Sequence, residues 1–101
     1  MNIPSKVKVS FKEYTVKEEV NLHDDGVELY GQIHYVPQII QLNADSSDDQ
    51  KKATLLHETI HALDEVYRIN LEEEQVEKLA NALYVFVNDN QEMFENEKEE
   101  K

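Results

Sequence analysis

Residues 47–67 read SDDQKKATLLHETIHALDEVY, and the organisation of the chain follows from how this stretch is read. Ser46 or Ser47 can cap a helix, with Asp49 or Gln50 three residues on to complete a capping-box pattern. The spacing then predicts a helix from about Asp48 to Tyr67, with Leu56, Ile60, Leu63 and Tyr67 as its apolar stripe. Leu55, Ala62 and Val66 add apolar surface on the far side, so most of this helix is expected to be covered by other elements.

Working upstream, the period changes to two. KVKVSFKEYTV (residues 6–16) alternates, with Val7, Val9 and Phe11 on one face, and reads as one half-buried strand. NLHDDG, ending in Gly26, is turn chemistry. VELYGQIHYV (27–36) alternates again, and its Gly31 marks either a bulge or the close approach of another part of the chain. Pro37 ends that segment or confines it to an edge. QIIQLN (38–43) reads as a further strand, so a hairpin is expected around VPQ. Downstream, Asn70 can cap a second helix over about 71–88, where Val76, Leu79, Ala80, Leu83, Phe86 and Val87 follow helical spacing.

Strands first and helices second give an α+β class: a small antiparallel sheet of about three strands followed by two packed antiparallel helices. With 101 residues the chain has room for one domain, taken as 1–90. The remainder, 91–101, is charged and expected to fray.

Composition narrows the partners. The formal net charge of −12 sets the chain against phosphate backbones, so nucleic acid is not expected, and protein or peptide surfaces are the better match. The absence of cysteine gives no disulfide framework. MNIPSKVKVSF carries no apolar run of signal-peptide length, and nothing approaches a membrane span, so a cytoplasmic location is expected. Oligomeric state is not legible.

The chemistry lies in LLHETIHAL (55–63). Helix positions four apart share a face, so His57 and His61 can aim both imidazoles at one point. Neutral imidazole nitrogens bind zinc at about 2 Å, and Zn2+ favours four ligands. Glu58 is too close in sequence to be a comfortable third ligand, yet it can reach a water at the metal and take its proton during attack on a carbonyl. That division of labour is why the spacing H-E-x-x-H recurs in metal hydrolases. Against it stands a helix with two partly exposed histidines and a solvated glutamate.

The remaining ligand is sought downstream. A third histidine would fall at 67 and a glycine at 64, but those positions hold Tyr67 and Asp64. A carboxylate of the second helix is left. Measured against the stripe around Val76 and Leu83, Glu73 lies nearer the buried face than Glu77, Glu74 points away, and Glu72 sits in the first turn. Glu73 is therefore chosen, with Glu77 as the alternative ligand or as an acid behind a histidine. The acidic run also suits a helix N-terminus on dipole grounds alone. His23 and His34 read as surface residues. Tyr30, Tyr35 and Tyr67 are each able to donate to an oxyanion, and nothing in the sequence selects among them.

TLLHETIHAL together with the downstream EQVEKLANALYVFVNDN resembles the small zincin-like proteins of phages and prophages of Gram-positive bacteria, near the gluzincins and the ImmA/IrrE-type metallopeptidases. LYGQIHYVPQIIQLN resembles the paired strands that precede the motif helix there. The likeness spans about 27–90. It implies His57 and His61 as zinc ligands, Glu58 as catalytic base and Glu73 as third ligand. An E-x-x-A-N pattern of the ImmA/IrrE proteins falls on Glu77, Ala80 and Asn81, which keeps Glu77 open. Two functions follow: a zinc-dependent peptidase of narrow specificity, or a zincin-like protein-binding module with little or no catalysis.

Overall fold

The computed structural model describes residues 1–95. Its strands are β1 (Lys6–Val9), β2 (Lys12–Glu19), β3 (His23–Asp24), β4 (Val27–Glu28), β5 (Gly31–His34) and β6 (Ile39–Asn43). Two helices follow, α1 (Asp48–Tyr67) and α2 (Glu73–Asp89), with a single 3-10 turn at Gln91–Phe94. The class is α+β. The sheet differs from the expected one in having four strands, ordered β1-β2-β6-β5, and in being mixed: β2 and β6 run parallel, while the other two pairs are antiparallel.

The difference begins at residues 10–11. The stretch expected to be one strand folds back at Ser10–Phe11, where Ser10 takes a left-handed backbone conformation (φ 57°), and Val9 pairs with Lys12. Val9 and Tyr14 then point into the core, while Phe11 sits at the hairpin tip, 79% exposed. No glycine, proline or asparagine marks this turn, so the alternation runs through it unbroken. The chain next makes a small β3–β4 ladder around Asp25 and Gly26, both at positive φ as a tight hairpin of this kind requires. The expected strand over 27–36 is thereby split into β4 and β5. The hairpin at Tyr35–Gln38 forms as expected and joins β5 to β6.

The main core is Val9, Tyr14, Ile40 and Leu42 from the sheet against Leu55 and Ala62 of α1. The opposite side of α1 meets α2 through Ile60, Val76 and Ala80. α1 is thus covered on two sides, and Tyr67, expected in its stripe, is 59% exposed. Ser47 caps α1 and accepts from the Gln50 amide at 3.1 Å.

The expected Asn70 cap does not form. Glu72 is the cap of α2, in a reciprocal box with Gln75, and Asn70 instead donates its backbone N–H to Asp64 Oδ1 at 2.6 Å. The helices run antiparallel, tied at the far end by Tyr84 Oη donating to Asp49 Oδ1 at 2.9 Å. Of the segment expected to fray, Gln91–Phe94 form the 3-10 turn, with Phe94 edge-on to Phe86; residues 96–101 lie outside the described residues. No helix among the described residues is long and apolar enough to cross a membrane.

Candidate metal centre

α1 carries His57 and His61 one turn apart on its α2-facing side, their ring centroids 5.0 Å apart. Glu73, the first residue of α2, inserts its carboxylate between them. Its Oε2 lies 3.0 Å from His57 Nε2 and its Oε1 3.0 Å from His61 Nε2. Among the described residues these three form the one group able to hold a metal ion, with ligand atoms all within 4.8 Å of one another. Tetrahedral zinc with bonds of about 2 Å sets its ligand atoms about 3.3 Å apart, so the donor set fits once its widest pair closes by up to about 1.5 Å. The donor chemistry also fits: two imidazoles and a carboxylate are an open catalytic-type set, with a coordination position left for water or substrate.

Glu58 follows His57 on the helix and turns toward the sheet edge. It is largely buried, 8% exposed, and lines both of the cavities beside His57. Burial, and then the charge of Glu73, push its pKa up to about 7. A carboxyl held so close to neutrality can exchange a proton in either direction at working pH.

Gly31 explains how the sheet comes so near. A Cβ at that position would collide with Thr54 Cγ2, would lie 2.9 Å from the Gln41 carbonyl oxygen, and would come to 3.5 Å from Glu58 Oε2. The glycine therefore serves close approach of α1 to β5 rather than a bulge.

β5 is an edge strand, since only β6 pairs with it. The Asn43 amide donates to the Tyr30 carbonyl at 2.8 Å, so in this antiparallel ladder Tyr30, Gln32 and His34 bond inward to β6. The backbone groups of Gly31 and Ile33 point the other way, to open space beside the histidines. Two cavities flank His57 and Glu58. One, of about 360 Å³, lies on the Tyr30 and Gly31 side; the other, of about 370 Å³, reaches Tyr35, His61 and Glu73.

The other candidates separate clearly. Glu77 makes no hydrogen bond or ion pair with either imidazole; it lines the first cavity. His23 is exposed and bonds the Asn21 carbonyl through Nδ1, whereas His34 is half-buried against Gln41, and neither joins the cluster. Tyr67 lines neither cavity. Tyr30 belongs to the first, and Tyr35 to the second, its phenol raised in pKa by burial and then by the Glu58 charge.

Sequence reasoning missed Thr54, 6% exposed, which shapes the wall opposite Gly31. A threonine one turn before the first histidine carries no signal of its own. No protein-family model matches this chain, and no curated protein or solved structure matches it significantly.

Proposed function

We propose that this chain is a zinc-dependent metallopeptidase of narrow specificity, related to the small zincin-like proteins, and that it acts on a protein or peptide substrate in the cytoplasm. The observation that carries the reading is the carboxylate of Glu73 set 3.0 Å from both Nε2 atoms, with the largely buried Glu58 beside them. A glutamate beside two merely solvated histidines is ordinarily solvated too, whereas this one is desolvated enough for its pKa to be pushed up to about 7.

His57, His61 and Glu73 would hold the ion, which when bound supplies Lewis acidity toward water and the substrate carbonyl. Glu58 accepts the proton of the attacking water and returns it to the departing amine nitrogen. The outward N–H and C=O groups of Gly31 and Ile33 offer a strand partner to an extended peptide, which holds the carbonyl against the histidines. Tyr35, at the other end of that strand, is the tyrosine whose cavity contains all three ligand residues.

A protein-binding module is the second reading. It is favoured by the apolar side chains that α2 leaves open, Leu79, Val85 and Phe86, which are 42%, 56% and 44% exposed. One experiment tests both. Protein purified without a histidine tag is loaded with zinc, and cleavage of co-expressed partner proteins is followed by mass spectrometry. Glu58→Gln is expected to keep zinc and lower turnover by about 10² or more. Full retention of the biological effect in Glu58→Gln would leave the binding module as the correct reading.

A further inference from the structure

The cavity on the Gly31 side of His57 has a definite chemical character. Its walls mix apolar and polar groups, with Tyr30, Ala53 and the Gly31 backbone beside Gln50, Thr54 and His57. Its polar residues include Glu58 at the catalytic end and Glu77 and Asn81 from α2, and no lysine or arginine lines it. The cations nearby are engaged elsewhere, Lys51 with Glu18 at 3.0 Å and Lys52 with Asp48 at 2.9 Å.

Glu77 differs from its neighbours in the same helix. Glu73 is engaged with the histidines and Glu74 with Lys78 at 3.1 Å, whereas Glu77 makes no ion pair among the described residues. A lone exposed glutamate is ordinary. This one stands at a cavity of about 360 Å³ that opens on His57, is walled in part by Tyr30 and Ala53, and is also lined by the largely buried Glu58. That volume suits a single side chain or small ligand.

We propose that this cavity receives a lysine or arginine side chain of the peptide substrate. The aliphatic stem lies along Ala53 and the Tyr30 ring, and the charged head meets the Glu77 carboxylate and the Asn81 side-chain oxygen. Long cationic side chains divide in this way between apolar wall and polar rim, and a charge-assisted bond to a carboxylate is the stronger kind. A chain of net charge −12 also attracts basic segments before contact. The inference rests on the peptidase reading for why a peptide enters the cleft. The preference for a cation is a property of the cavity alone.

The test uses blocked pentapeptides, acetyl-Ala-Ala-X-Ala-Ala-amide, with X as lysine, arginine, norleucine or glutamate. Binding is followed by amide shifts in the full chain carrying Glu58→Gln, with zinc present, so that no peptide is consumed. The lysine and arginine peptides are expected to bind about tenfold tighter than norleucine, the scale of one charge-assisted contact. Shifts should centre on Thr54, Glu77 and Asn81. Adding Glu77→Gln should remove the preference, and Glu77→Lys should turn it toward the glutamate peptide.

Equal binding of all four peptides, or shifts confined to other surfaces, overturns the proposal. Hydrolysis by the zinc-loaded unsubstituted chain is scored separately. Cation-selective binding together with full retention of the biological effect in Glu58→Gln would remove the peptidase reading and keep the pocket. Cleavage without selectivity would do the reverse.

Discussion

On the sheet side of α1, Leu55 and Ala62 close over Ile40 and Leu42, both with no exposed surface, and over Val9 and Tyr14. On the α2 side the buried set shrinks to Ile60, Val76 and Ala80, with the partly buried Leu56, Leu71 and Leu83 packed against them, and polar contacts join in: the His57, His61 and Glu73 cluster, and the Tyr84–Asp49 hydrogen bond. One helix thus joins a dry core to a lightly held partner. Among the described strands and helices α2 rests on α1 alone, so the metal candidates straddle the weaker of the two seams. The fold and the site draw their stability from different faces of the same helix, and that division can be tested.

The largest effects belong to the dry face. Leu42→Ala removes a fully buried side chain and is expected to cost about 3 kcal/mol, with both helices losing amide protection together. Ile60→Ala removes a comparable side chain from the other seam. It should lower protection across Glu73–Asp89 first, leaving the sheet and the first half of α1 close to their original values. Hydrogen exchange read by mass spectrometry separates the two. If Ile60→Ala loosens the sheet as much as it loosens α2, the two seams form one cooperative unit.

Zinc should act on the weak seam in the opposite sense. Its proposed ligands come from both helices, so binding opposes their separation. With free zinc at a hundred times its dissociation constant, the gain is about 2.7 kcal/mol, concentrated in the protection of α2. His57→Ala and His61→Ala should each abolish that gain. An equal rise in melting temperature for the unsubstituted chain and both variants would mean that zinc acts elsewhere.

This asymmetry also explains what was legible in the sequence. The span of α1 and its Ser47 cap follow from residues 47–67, because period, capping and length agree there. The spacing of His57, Glu58 and His61 is visible in the sequence, and helical phase favours Glu73, the carboxylate found between the imidazoles, while leaving Glu77 open. The strand count was not legible. The Ser10–Phe11 turn has no marker residue, and the parallel pairing of β2 with β6 depends on contacts between residues 24 apart, such as Thr15 with Ile39. The cap of α2 was misplaced to Asn70 because Glu72 with Gln75 is a less common box than one led by serine or asparagine, and because Asp64 draws off the Asn70 amide. Gly31 left two explanations open, and only the packed position of Thr54 decides between them.

A smaller effect is expected from Glu58, read in metal-free protein. Its folded pKa is raised to about 7, first by burial and then by Glu73, from an ordinary value of 4.5. The folded state therefore binds the proton more tightly than the unfolded state between those values. Stability falls as pH rises through that window, and the penalty is complete above it. Glu58→Gln removes the titration. At pH 8 the variant should be more stable than the unsubstituted chain by about 1–3 kcal/mol, and near pH 4 the two should nearly coincide. Denaturant melts at both pH values measure the difference. A constant offset would show that the glutamine acts through packing. The same substitution that is proposed to end catalysis should thus stabilise the fold, as expected where a functional carboxylate is held in an unfavourable place.

The smallest expected effect is at the link between the helices. Arg68 ends α1 in the left-handed conformation, φ 55° and ψ 49°, while its N–H donates to the Asp64 carbonyl. A side chain there meets the steric cost that makes glycine the usual occupant, about 1–2 kcal/mol, and glycine loses about 0.5–1 kcal/mol of that advantage to greater freedom when released. Arg68→Gly should therefore stabilise by less than about 1 kcal/mol. Where that gain appears is informative. If α2 leaves α1 by releasing the link, Arg68 leaves its left-handed state in that opening, and glycine should slow exchange in α2 as much as it raises global stability. A gain in global stability with α2 exchange unchanged would show that the link keeps its shape while α2 detaches. The hinge would then lie beyond Asn70, where Asp64 Oδ1 also accepts the Leu71 amide at 3.3 Å.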